Sequence, residues 1–125
     1  MLQIVLIIDD ESDVAKTCAR VLERAGIKCL SAFDSPTALS LFDAYKPALV
    51  LCDINLRVGD GFEIARYVQT KSPGTPVVLM TAEHNSYVQD RAMRSGAAHY
   101  LRKPFANAEL LRVVGSLLPR NGGAV

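Results

Sequence analysis

The feature that most constrains this chain is a regular alternation between short apolar runs and segments of helical period. Ile4-Val5-Leu6-Ile7-Ile8 is an unbroken apolar run that stops at Asp9-Asp10. A run without polar alternation reads as a strand buried on both faces. Val14, Cys18, Val21, Leu22 and Ala25 then mark one face of a helix, with Gly26 as its terminator. Residues 27–33 read as a second strand. Ser35-Pro36 offers an N-cap followed by Pro at the first helical position, and Leu39, Phe42 and Tyr45 recur at helical spacing until Pro47. Ala48-Leu49-Val50-Leu51-Cys52 is a third strand running directly into Asp53. A loop over residues 55–61 leads to a helix carrying Phe62, Ile64, Ala65 and Val68, which Ser72-Pro73-Gly74 breaks. Pro76-Val77-Val78-Leu79-Met80 is a fourth strand ending at Thr81. A shorter helix over about 86–94, closed by Gly96, precedes a short fifth strand at 98–101 and then Lys103-Pro104. Asn107 can cap a last helix whose apolar face is Leu110, Leu111, Val114, Leu117 and Leu118.

Strand and helix thus alternate five times. Such crossovers return the chain to the same edge, so the strands pair in parallel and the fold class is α/β: a (βα)5 doubly wound open sheet with helices on both faces. A length of 125 residues fits one domain, and the 50% apolar content is enough to fill its core. The expected organisation is a single domain over residues 1–119 and a tail or linker stub over 120–125.

A net charge of +1 gives no support to a nucleic-acid footprint, which needs a basic stripe. No apolar run approaches the ~18 residues of a membrane span, and the first residues lack a basic region and cleavage site, so the chain reads as cytoplasmic. Cys18, Cys29 and Cys52 are odd in number and match no C-x-x-C pattern; buried, reduced thiols are the expectation.

In open α/β sheets, ligands bind beyond the carboxyl ends of the strands. Those ends carry Asp9 and Asp10, then Asp53, Thr81 and Lys103. Three converging carboxylates repel one another unless some protonate or a cation joins them. Hard oxygen ligands favour Mg²⁺, or Mn²⁺, and Mg²⁺ commonly combines one or two carboxylates with a phosphate oxygen. A carboxylate can attack phosphorus to form an aspartyl phosphate, and Lys103 and the Thr81 hydroxyl are suited to hold the phosphoryl oxygens. Asp53 is the best nucleophile candidate, since it ends the middle strand. Each of these residues alone is commonplace; together at four strand ends they point to one site.

The segments Ile7-Ile8-Asp9-Asp10-Glu11, Leu51-Cys52-Asp53-Ile54-Asn55-Leu56, Gly59-Asp60-Gly61-Phe62-Glu63, Leu79-Met80-Thr81-Ala82 and Gly96-Ala97-Ala98-His99-Tyr100-Leu101-Arg102-Lys103-Pro104-Phe105 resemble the receiver domain of two-component response regulators. The resemblance runs over nearly the whole chain. It implies the flavodoxin-like strand order 2-1-3-4-5 and a phosphorylation-dependent switch in which Asp53 accepts a phosphoryl group from a sensor histidine kinase or a histidine phosphotransfer protein. It implies Mg²⁺ held by Asp10, Asp53 and the backbone carbonyl of Asn55, with Asp9 acting through water. Thr81 and Lys103 would contact the phosphoryl group, and the Lys103-Pro104 bond would be cis. Tyr100 aligns with the family's switch aromatic. The output surface would be the last two helices and the fifth strand, with Tyr87, Arg91, Tyr100 and Arg102 as contacts for an effector, a fused output domain or a second copy of the chain. His99 reads as structural or surface-lying, not as a ligand.

One position departs from the pattern. Receivers often carry Pro four residues after the phosphorylated Asp, where this chain has Arg57, read as a solvated loop residue. Asn55 and Glu83 stand where the family tunes dephosphorylation; both can orient a water, which implies a short-lived phosphoryl state. Of the rival readings, an aspartate-nucleophile phosphatase needs an acid where Asn55 stands. A flavin carrier needs a glycine- and hydroxyl-rich loop where Asp9-Asp10-Glu11 stands. A phosphorylation-independent pseudo-receiver would not need the intact acid pair, Thr81 and Lys103. The chain is therefore expected to be a regulator that catalyses only its own phosphorylation and dephosphorylation.

Overall fold

The computed structural model describes residues 3–83 and 85–119. The elements alternate without exception: β1 (Ile4–Ile8), α1 (Ser12–Arg24), β2 (Lys28–Ala32), α2 (Ser35–Tyr45), β3 (Leu49–Asp53), α3 (Gly61–Lys71), β4 (Val77–Thr81), α4 (Ser86–Arg94), β5 (His99–Arg102) and α5 (Asn107–Leu117). All strands pair in parallel in the order β2-β1-β3-β4-β5, as the resemblance implied. The expected tail over 120–125 lies outside the described residues. No helix among the described residues is long and apolar enough to cross a membrane.

The unbroken apolar runs are explained by a sheet covered on both sides. Side chains alternate across each strand, so Leu6, Ile8, Val50, Cys52 and Leu79 pack under α2, α3 and α4 with Phe42, Phe62, Ile64 and Val68. Val5, Ile7, Leu49, Leu51, Val78 and Met80 pack under α1 and α5 with Cys18, Leu22, Leu110 and Val114. Every residue of β3 and β4 is buried. At roughly 1.5–3 kcal/mol per buried Leu, Ile or Val side chain, these central strands anchor the fold. β2 lies at the sheet edge and is only partly covered. Hence Cys29 is half-buried, unlike Cys18 and Cys52, which corrects the expectation of three buried thiols; all three are free.

Two helix starts also differ from the sequence reading. The N-cap of α2 is Asp34, whose side chain accepts from the Thr37 amide at 2.8 Å, so Ser35 is already helical and Pro36 sits one place further in. The amide of Ser35 is drawn instead to the Val58 carbonyl at 3.0 Å, which ties the start of α2 to the β3–α3 loop. In α5 the N-cap is Ala106, with no side-chain cap, and Asn107 is the first helical residue. The other turns follow the pattern: Gly26 and Gly96 take positive φ after α1 and α4, and Asp60 and Asn85 cap α3 and α4.

Candidate functional site

Register brings the chemistry together. Cys52 pairs with Ile8 and Asp53 with Met80, so the ends of β1, β3 and β4 lie level and present Asp9, Asp53 and Thr81 side by side. Thr81 pairs with Arg102, and the Lys103 amide donates to the Thr81 carbonyl at 2.8 Å, which aims the Lys103 side chain back over the sheet edge. The Lys103-Pro104 bond is cis, as the resemblance implied.

The Lys103 ammonium lies 2.7 Å from Asp53 Oδ2, 2.8 Å from Asp9 Oδ2 and 3.4 Å from Glu11 Oε1. Burial disfavours its charge, but the hydrogen bonds and charges of Asp53 and Asp9 outweigh this and push its pKa up, so it stays protonated. Asp9 is fully buried. Desolvation raises its pKa, opposed by the Lys103 hydrogen bond and by the Glu11 amide, which donates to Oδ1 at 2.9 Å. Asp53 is 6% exposed, and its Oδ1 accepts from the Asn55 amide at 2.9 Å. One carboxylate oxygen of Asp53 is thus oriented by the backbone and the other by an ammonium.

Single ligand oxygens of Asp9, Asp10 and Asp53 all lie within 4.8 Å of one another. The cluster offers only carboxylate oxygens, without sulfur or imidazole, and Asp10 is partly open to solvent. A hard divalent ion that retains waters fits this donor set.

Three of the remaining expected residues, Thr81, Asn55 and Tyr100, are joined through Glu83. The Thr81 hydroxyl is buried and accepts from the Glu83 amide at 2.9 Å. Asn55 Nδ2 donates to Glu83 Oε1 at 2.6 Å, so the two residues expected to tune phosphoryl lifetime are bonded to each other. The Tyr100 hydroxyl donates to the Glu83 carbonyl at 3.2 Å. Ala82 is exposed and lines a groove of about 470 Å³ beside Lys103, floored by Val14, Cys18, Phe105 and Leu110 between α1 and α5. His99 is exposed at the surface of β5. Tyr87 is 71% exposed, but Arg91 turns towards α3: its guanidinium lies 4.3 Å from the Phe62 ring centroid and 4.0 Å from Asp60 Oδ2.

Three participants escaped the sequence reading. Glu11 reaches Lys103. Gly61 lies so close to the end of β3 that a Cβ there would come within 2.5 Å of the Asp53 carbonyl oxygen and 2.7 Å of Ile54 Cα. Arg57 is not simply solvated: its amide donates to Asp10 Oδ2 at 2.9 Å. The Asp60-Gly61 pair was a usable signal for the second, since a glycine directly after an N-cap marks a close backbone approach.

Comparison with known proteins agrees with this geometry. The profile of the response regulator receiver domain matches residues 5–115. The transcriptional regulatory protein PrrA of Mycobacterium tuberculosis is 36% identical over 120 residues, covering 94% of this chain and 51% of that protein. The phosphate regulon transcriptional regulatory protein PhoB of Pseudomonas aeruginosa is 32% identical over 120 residues, covering 94% and 52%. The chain therefore spans about half the length of these relatives. Among solved structures, the receiver domain of NtrX from Brucella abortus superposes with a TM-score of 0.86 at 31% identity, covering 91% of this chain and 97% of that one. The chemotaxis protein CheY4 of Vibrio cholerae superposes at 0.88 with 27% identity, covering 94% and 100%. With its fold, its acidic strand ends and its profile match in agreement, the chain belongs to the receiver domain family of two-component response regulators, the phosphoacceptor switches of those systems.

Proposed function

We propose that Asp53 is the phosphoacceptor of this receiver and that the domain carries a signal from a histidine kinase, or a histidine phosphotransfer protein, to an effector or output domain. One observation carries the reading: Asp53, buried at the end of the middle strand, has an ammonium 2.7 Å from one oxygen and lies in a cluster with two further carboxylates. An Asp53 carboxylate oxygen attacks the phosphorus of a phosphohistidine; the P–O bond forms as the P–N bond breaks, and the imidazole leaves with the electron pair. Lys103 balances charge on one equatorial phosphoryl oxygen. The Thr81 hydroxyl, whose lone pair now serves the Glu83 amide, still has its proton to donate to a second.

Asp10, Asp53 and the Asn55 carbonyl are the residues to hold Mg²⁺ or Mn²⁺, with Asp9 acting through water. When bound, the ion neutralises charge on the transferring phosphoryl group. Asn55 in place of an acid supports a carrier that cycles its own phosphoryl group and does not turn over small phosphate esters. The output surface is α4, β5 and α5, where exposed Tyr87, Arg91 and Arg102 and half-buried Tyr100 are the candidate contacts for an effector, an output domain or a second copy. DNA contact belongs to an output domain and not to this chain, whose net charge is +1. The fold and the lack of a long apolar helix among the described residues suit a cytoplasmic protein.

Incubation with acetyl phosphate and Mg²⁺, followed by intact mass, tests the assignment. The wild type gains one phosphoryl group and Asp53→Asn gains none. A gain that persists in the variant overturns it.

A further inference from the structure

In the β3–α3 loop, Arg57 addresses Asp10 twice. Its amide donates to Asp10 Oδ2 at 2.9 Å, and its Nε lies 3.6 Å from the same oxygen. The two contacts differ in kind. The amide fixes where the carboxylate points and needs only a residue that has an N–H. The guanidinium supplies charge from a side chain that is 84% exposed, onto a carboxylate side chain that is 16% exposed. Asp9 and Asp53 take their counter-charge from Lys103, while Asp10 takes it from Arg57. The acidic trio is thus balanced in part by a cation on an exposed side chain.

We propose that Arg57 is a resident counter-ion of Asp10 which a divalent cation must displace, so that its side chain weakens Mg²⁺ binding while its amide keeps Asp10 in place. The inference rests on the reading of the acidic trio as a metal site and adds to it a residue that sets the site's affinity. A divalent ion on Asp10 would stand within a few ångströms of the guanidinium and repel it. The long, exposed side chain can swing into solvent, so the penalty is modest and screened by salt. A proline at position 57, frequent in the family, has neither the amide nor the charge. Arg57 thus supplies both an anchor for Asp10 and a competitor for it. Metal binding also releases a positive charge onto the loop surface beside the site.

Calorimetric Mg²⁺ titration of the full, unphosphorylated chain at low ionic strength tests this with four proteins. Arg57→Met keeps the amide and drops the charge, and binds Mg²⁺ about two- to fivefold more tightly than the wild type. Arg57→Lys keeps the charge and stays near the wild type. The gap between wild type and Arg57→Met closes in about 0.5 M salt, where the screening length falls to a few ångströms. Arg57→Pro, which loses the amide as well, binds more weakly than Arg57→Met. Equal affinities of wild type and Arg57→Met at low salt overturn the competition, as does an equal gain in Arg57→Lys; equal affinities of the Pro and Met variants overturn the anchoring role. If the wild type takes up no Mg²⁺ at all, the metal site itself is refuted and this inference falls with it, an outcome distinct from the others.

Discussion

Gly61 rests against the backbone of Asp53 at a separation that no side chain permits: a Cβ would lie 2.5 Å from the Asp53 carbonyl oxygen. The neighbour is main chain, so it cannot turn aside as a flexible side chain would. Gly61→Ala is expected to cost about 1–3 kcal/mol of stability, as over-packing does elsewhere. It should also displace the end of β3 and slow phosphoryl uptake. Urea unfolding and the initial rate of labelling by acetyl phosphate check both effects. A variant with wild-type stability would show that the loop has room the distances deny.

Lys103 holds Asp9 and Asp53 together, and both carboxylates are nearly or fully buried. Lys103→Met leaves them facing one another. The expected loss in the presence of chelator is about 2–3 kcal/mol, somewhat below the ~3–5 kcal/mol for breaking a fully buried pair. Excess Mg²⁺ should restore part of it, because a second cation then takes the place of the first. Denaturant titrations of the variant with and without Mg²⁺ measure the recovery.

The hydrogen bond between Asn55 and Glu83 places two polar groups at the approach to Asp53. If they orient the water that removes the phosphoryl group, Asn55→Ala and Glu83→Ala each lengthen the phosphoryl lifetime by roughly three- to tenfold, less than the ~10²–10⁴ of a full general base. Because the two residues are bonded to each other, the double variant should gain less than the product of the single gains. Decay of the phosphorylated mass in Mg²⁺ buffer gives the numbers, and a wild-type lifetime of many hours would contradict the reading.

Burial pushes the thiol of Cys18 up to about 11 and that of Cys29 up to about 12, and raises Cys52 strongly as well, from an ordinary value of 9.0. At pH 8 the native thiolate fraction of Cys18 is on the order of one part in a thousand. Iodoacetamide should therefore modify the folded chain slowly and all three cysteines quickly in urea, read by intact mass. Between pH 9.0 and the raised native values the folded state holds protons that the unfolded state releases. This stability contribution is complete below about 9.0 and is lost as pH rises through the native values, so the denaturation midpoint falls in that window.

The strands and their polar ends were legible because they rest on patterns carried along the chain: unbroken apolar runs, then a residue that cannot stay in the core. Asp9, Asp53, Thr81 and Lys103 could be placed on one edge without knowing a single distance. What escaped was decided by hydrogen bonds between segments far apart in sequence. The cap of α2 fell to Asp34, through its local bond from the Thr37 amide, while the Ser35 amide goes to Val58, a partner that nothing near Ser35-Pro36 announces. Arg57 has the exposed side chain expected of it, but the bond from its amide to Asp10 was not legible because that acceptor lies 47 residues away. Arg91 stays exposed on α4, but its contacts with the Phe62 ring and the Asp60 carboxylate, about 30 residues away in sequence, could not be read from its place on that helix.

Glu83 takes part in three contacts at once: its amide serves Thr81, its carbonyl receives Tyr100, and its carboxylate receives Asn55. Two of these are made by main chain and one by side chain, and this division separates the two properties of the proposed switch. The linkage between the Thr81 hydroxyl and the Tyr100 ring on the neighbouring strand passes through atoms that every non-proline residue possesses. The proposed tuning of the signal's duration rests instead on side-chain atoms, the Glu83 carboxylate bonded to Asn55. Changing the side chain at position 83 can therefore reset the clock while leaving the wiring intact.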